Sequence, residues 1–88
     1  MKALTKQVER FTETDIDDEI VVMRLDSGDF FSLEGTAAAT WRLIDGTRDR
    51  VAIIEALAAQ FNADDVEVAA DVDDFLAQLK EQKLIATA

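Results

Sequence analysis

Apolar positions along this chain change rhythm near residue 35, from alternation to recurrence at three and four. Before that point the clearest run is "EIVVMRL" at 19–25, β-branched and bounded by turn residues, which predicts a strand. Alternation puts Val21, Met23 and Leu25 on one face and Ile20, Val22 and Arg24 on the other, and Arg24 marks the second face as the wetter. "DSGD" at 26–29 reads as a tight reversal into a short strand, "DFFSL", at 29–33. There Phe31 goes with Leu33 and Phe30 with Ser32, so Phe30 is expected to point outward, together with Ile20 and Val22. Upstream, 6–11 is weakly strand-like through Val8 and Phe11, and "TETDIDDE" at 12–19 is expected as a polar, acidic loop or turn.

The later rhythm predicts three helices. Residues 35–46 carry Ala37, Trp41 and Ile44 at helical spacing, with Thr36 as N-cap and Gly46 as the stop. Residues 49–61 open at Asp49 and show the stripe Ile54, Leu57, Ala58, Phe61. The last helix opens at Asp64, with Glu67 three residues on as in a capping box, and runs to about Gln82. Its stripe is Val68, Val72, Phe75, Leu76 and Leu79. "LIATA" closes the sequence as a short tail or a strand stub. The expected architecture is one α+β domain over residues 1–88, a small three-stranded antiparallel sheet followed by three helices.

Composition narrows the chemistry. With neither Cys nor His, the chain lacks thiolate ligands, a disulfide framework and the commonest general base. Its apolar runs are far shorter than a membrane span, and no basic-then-apolar targeting segment opens it, so a cytoplasmic location with no membrane contact is expected. Nineteen acidic against nine basic residues give a net charge of −10, which opposes phosphate-backbone binding and so argues against a nucleic-acid partner. Arg42, Arg48 and Arg50 gather near one helix–helix connection and are read as solvated loop residues.

Only the pairs Asp17-Asp18, Asp64-Asp65 and Asp73-Asp74 offer carboxylates for metal or acid–base work. Adjacent helical residues diverge by about 100°, and no pair lies in a calcium-loop pattern. Acids in the first turn of a helix already have a role against its dipole. Solvated surface charge is therefore the reading, with no catalytic residue, metal or cofactor. Trp41, on an apolar helix face, is taken as core.

"DFFSLEGTAAATWRLIDG" and "ADVDDFLAQLKEQKLI" together resemble the PqqD-like family, the peptide-recognition element of ribosomal peptide-modification pathways. The resemblance covers about residues 19–85 and implies a winged helix-turn-helix-like fold without catalytic activity. It implies that the leader segment of a precursor peptide adds as a strand to the edge formed by residues 29–33. Relatives serve pyrroloquinoline quinone or lasso-peptide synthesis. Where the family commonly has Gly before its last apolar pair, this chain has Lys83, a poorer residue for a left-handed helix stop.

The bottom-up reading meets this expectation, because strand order one-two-three leaves 29–33 at an edge with unpaired backbone groups. Phe31 and Leu33 would face Phe75 and Leu79 across a groove. The expected peptide-binding set is Asp29, Phe30, Phe31, Ser32, Leu33, Val72, Phe75, Leu76 and Leu79. From Asn62 to Gln82 seven acids accompany one Lys, so the flanking helix is strongly negative. Expected partners are the leader and a modifying enzyme (a radical SAM enzyme, a cyclase or a leader protease), docking with a second copy being the other use for the Phe30 face. The alternative is a winged-helix DNA-binding regulator.

Overall fold

A computed structural model describes residues 3–87. In chain order its elements are β1 (Leu4–Lys6), a 3-10 turn (Val8–Arg10), β2 (Phe11–Ile16), β3 (Glu19–Arg24), β4 (Phe30–Leu33), α1 (Gly35–Leu43), α2 (Arg50–Phe61), α3 (Asp65–Glu81) and β5 (Ile85–Thr87). The antiparallel sheet β2-β3-β4 is followed by the three helices, α1 packing against β3, an α+β fold. A second, two-stranded sheet pairs β1 with β5, Leu4 opposite Thr87. "LIATA" is thus a strand.

The first strand of the main sheet lies later than expected. Residues 12–16 continue β2 rather than forming a loop, and only Asp17-Asp18 turn the chain. Asp17 takes the left-handed conformation (φ 55°), which a short polar side chain tolerates. The strand was masked because its inward positions are acidic. Glu13 and Asp15, opposite Val22 and Ile20, sit at a free edge where carboxylates reach partners on α1.

The face assignment of β3 is also corrected. Ile20 and Val22 are fully buried, while Val21 and Met23 are half-buried on the outer face. Arg24 misled because its side chain lies on the inner face yet reaches out to solvent. Its guanidinium donates to Gln82 Oε1 at 2.7 Å and to Asp26 Oδ2 at 2.8 Å. Phe30 is outward as expected, 69% exposed, but its neighbour across the strands is Met23 and not Ile20 or Val22.

The helices start and stop for local reasons. α1 begins one residue before Thr36, which caps nothing. Glu34 is extended and Gly35 takes φ +56°, a turn open to glycine that swings the chain from β4 into the helix. α1 ends at Leu43, and Gly46 (φ +87°) turns the chain beyond it, its N–H donating to the Leu4 carbonyl. Asp49 caps α2 by accepting from the Ala52 N–H, and Asp64 caps α3 by accepting from the Val66 N–H. On α2 the buried stripe is Ile53, Ile54, Leu57 and Ala58, with Phe61 44% exposed rather than in the core.

α3 closes in a Schellman motif despite lacking glycine. Leu84 N–H donates to the Leu79 carbonyl and Lys83 N–H to that of Lys80, with Lys83 at φ 61°. Leu84 and Leu79, the positions whose apolar contact accompanies this motif, are both buried. The last turn therefore ends where the resemblance implies, at the cost of a strained Lys.

Trp41 anchors the core with no exposed surface. Phe11 meets it edge-to-face, 5.2 Å between centroids at 69°, and Lys6 Nζ lies 4.5 Å from its centroid. Its Nε1–H donates to Glu13 Oε2 at 3.0 Å, so burial leaves the indole donor satisfied. Burial pushes the Lys6 ammonium below its ordinary value, with Glu13 pulling the other way.

Candidate functional site

Among the described residues β4 has one strand neighbour, so its far edge is open there. Which groups it presents follows from the register. Arg24 N–H donates to the Asp29 carbonyl, and these residues continue the register in which Met23 faces Phe30. Hydrogen-bonded pairs alternate in an antiparallel ladder, so Phe31 and Leu33 direct their backbone groups to β3. Phe30 and Ser32 then turn N–H and C=O to the open edge. Among the described residues no other backbone group bonds there.

Between this edge and α3 lies a cleft of about 480 Å³. Phe30, Phe31, Ser32 and Leu33 form one side, Phe75, Gln78, Leu79 and Gln82 the other, with Leu84, Ala37 and Glu81 completing it. The arrangement is graded by depth. Leu33, Leu79 and Leu84 are buried at its floor, Phe31 and Phe75 are half-buried on its walls, and Phe30, Ser32, Gln78 and Glu81 are exposed at its mouth. The Arg24–Gln82 hydrogen bond ties the sheet to the end of α3. An apolar trough beside unpaired strand edge groups can do one thing chemically: accept an extended chain, backbone to edge and alternate side chains into the trough.

Of the nine residues expected here, the structure brings six to the cleft: Phe30, Phe31, Ser32, Leu33, Phe75 and Leu79. Asp29 stays in the turn, where its carbonyl is engaged by Arg24 N–H. Val72 and Leu76 turn into the core, 1% and 5% exposed, because they lie on the helix side facing α1 and α2. Leu76 lines instead a shallow hollow on the opposite side of α3, with Leu4 and Arg50. Sequence reasoning missed Gln78 and Gln82, although both follow Phe75 at i+3 and i+7 and share its flank. Their polarity hid them, since the stripe was traced by apolar residues alone.

Several charged groups elsewhere are locally engaged. Arg42 pairs with Asp15 and Arg48 with Asp45, and Arg50 holds Asp73 through two nitrogens. Arg42 and Arg50 are exposed but belong to α1 and α2 rather than to the loop, Arg48 is half-buried, and none of the three is free. Hydrogen bonds from Arg50 hold the Asp73 carboxyl below the usual range. Of the acidic pairs, Asp17 makes a turn, Asp64 a cap and Asp73 this ion pair; no group of three such residues is placed to hold a metal among the described residues. No helix there is long and apolar enough to cross a membrane.

Comparison with known proteins gives two matches. The family model described as coenzyme PQQ synthesis protein D (PqqD) matches residues 19–85. A solved structure described as TbiB1 in complex with the TbiA(beta) leader peptide superimposes with a TM-score of 0.82 at 27% identity, covering 92% of this chain and 93% of that one. No curated protein matches.

Proposed function

The chain belongs to the PqqD family, and from that premise we propose that it is a non-catalytic module that captures the leader segment of a ribosomal precursor peptide. The observation that carries the proposal is the open edge of β4 beside the apolar trough, and the similar solved structure is of a complex with a leader peptide. Docking groups would be the N–H and C=O of Phe30 and Ser32. Phe31, Leu33, Phe75 and Leu79 would receive alternate leader side chains, and Asp29, Val72 and Leu76 would have no direct contact. Holding the leader raises the effective concentration of the remaining precursor at a separate modifying enzyme, which supplies the chemistry. A radical SAM enzyme, a cyclase or a leader protease would each fit, and the exposed outer face around Phe30, Val21 and Met23 is available to it.

The test is calorimetric titration with leader peptides from precursor genes that neighbour this one. A peptide N-methylated at the amides that meet β4 should lose most of its affinity, because strand addition needs those donors. Equal binding by the N-methylated and unmodified peptides would rule out strand addition. A regulator reading finds no support in the arginines, which are all but one engaged by carboxylates among the described residues.

A further inference from the structure

Charge is sorted around α3. At about 100° per residue, Asp71 lies on the same flank as Phe75 and Gln78, Asp74 points toward solvent between Gln78 and Glu81, and Glu81 lines the mouth of the cleft. All three are exposed, and none forms an ion pair among the described residues. The opposite flank is balanced: Asp73 is held by Arg50 and lies near enough to Lys80 for that ammonium to lower its pKa further. The trough itself is uncharged apart from Glu81. The wall beside an apolar, open-edged cleft thus presents carboxylates with no ion-pair partner among the described residues, although the other flank of the same helix has one.

Spacing converts this into a pattern. Glu81 lies seven residues from Asp74 and ten from Asp71, which at the helical rise is about 10–15 Å. In an extended strand, side chains on one side recur every two residues, so positions i and i+4 are about 13 Å apart. The residue between them, i+2, then falls opposite the Phe75–Leu79 stretch. Lysine and arginine suit both ends, since their stems lie along apolar surface while the heads reach carboxylates.

We infer that the peptide this cleft takes carries two cationic side chains four residues apart, flanking the apolar residue that seats against Phe75. The inference rests on the strand-addition reading and adds a substrate class to it.

Fluorescence anisotropy with synthetic twelve-residue peptides tests it. The peptides share one sequence with a central Leu and differ only at the two flanking positions: Lys and Lys, Gln and Gln, or Glu and Glu. The Lys peptide should bind roughly three- to tenfold tighter than the Gln peptide at low salt, and the Glu peptide weakest of the three. The gap should narrow as salt rises. Moving one Lys by a single residue turns it to the other side of the strand and should remove its share of the gain.

The combined variant Asp71→Asn, Asp74→Asn, Glu81→Gln should erase the preference. The control Asp17→Asn, Asp18→Asn, Glu55→Gln changes net charge equally and should keep it, with circular dichroism confirming that both remain folded. Equal loss in both variants would assign the preference to the field of the whole chain and overturn the inference. Equal binding of Lys and Gln peptides, still abolished by N-methylation, would overturn it while leaving strand addition standing. Binding by none of the peptides would overturn both.

Discussion

Trp41 and Phe75 are both aromatic residues on the apolar flank of a helix, yet their surroundings differ in completeness. Trp41 is closed on every side: Phe11 against its edge, Lys6 over its face, Glu13 on its only donor. Phe75 has Leu79 and the β4 side chains near it, then open solvent where the next strand of the sheet would run. One ring has satisfied its contacts within the chain, and the other stops partway. The lesson is that an aromatic on an amphipathic stripe does not declare its role by type or spacing. What decides it is whether the neighbouring backbone is paired.

The sharpest way to break this comparison is to truncate both rings. Trp41→Ala should lose about 3–5 kcal/mol of stability, the cost of a fully buried aromatic, which in a domain holding about 5 kcal/mol approaches unfolding. Denaturant titration measures it, and a loss under about 1 kcal/mol would show that the pocket around Trp41 collapses freely. Phe75→Ala should cost about 1–2 kcal/mol, less because the ring is half-buried, while affinity for a bound leader falls more than about tenfold. If it destabilises as much as Trp41→Ala, the cleft is closed core and the contrast disappears.

Smaller changes sharpen the cleft side. Lys83→Gly should stabilise by about 0.5–1 kcal/mol, because glycine holds φ 61° without the clash between Cβ and the backbone. Unfolding by heat would register this as a higher midpoint, and an unchanged one would mean that added freedom in the unfolded chain cancels the relief. Smallest of all is a pH effect at the other end of β4. Glu34 shares a hydrogen bond with Glu19, and both this bond and the like charge raise its pKa above the ordinary 4.5. An acid whose folded pKa is raised binds its proton more tightly when folded, so its penalty is present above the folded pKa and fades as pH falls toward 4.5. Glu34→Gln should accordingly reduce the signed difference in melting temperature, mildly acidic minus neutral solution. An increased difference would contradict the sign.

Much of this was legible in the sequence, for reasons that differ between elements. The turn at 26–29, the outward Phe30 and the caps Asp49 and Asp64 follow from strictly local rules, and local rules hold where no distant group competes. β2 was not legible because its inward carboxylates find partners on α1, and a partner 28 residues away in sequence leaves no local trace. Arg24 inverted the reading of β3 in the same way, since its bond to Gln82 spans 58 residues. Within the site, Phe30 to Leu33 line the cleft while Asp29 stays in the turn, and on the helix side Phe75 and Leu79 line it while Val72 and Leu76 do not. Phe75 and Leu79 were distinguishable from Val72 and Leu76 only once the direction of the core around α3 was known.

The pairing of β1 with β5 has a consequence for chain topology. Leu4 lies opposite Thr87, so the two ends of the described chain run side by side. Forming that pair in the intact order closes a loop of roughly 80 residues, at an entropic cost of about 4 kcal/mol by the logarithmic law. It is therefore the contact that gains least from early formation and the first expected to fray. Joining the two ends by a short linker and opening the chain between Asp17 and Asp18 would turn this remote closure into a local hairpin. The permuted order would leave every element that borders the cleft covalently contiguous.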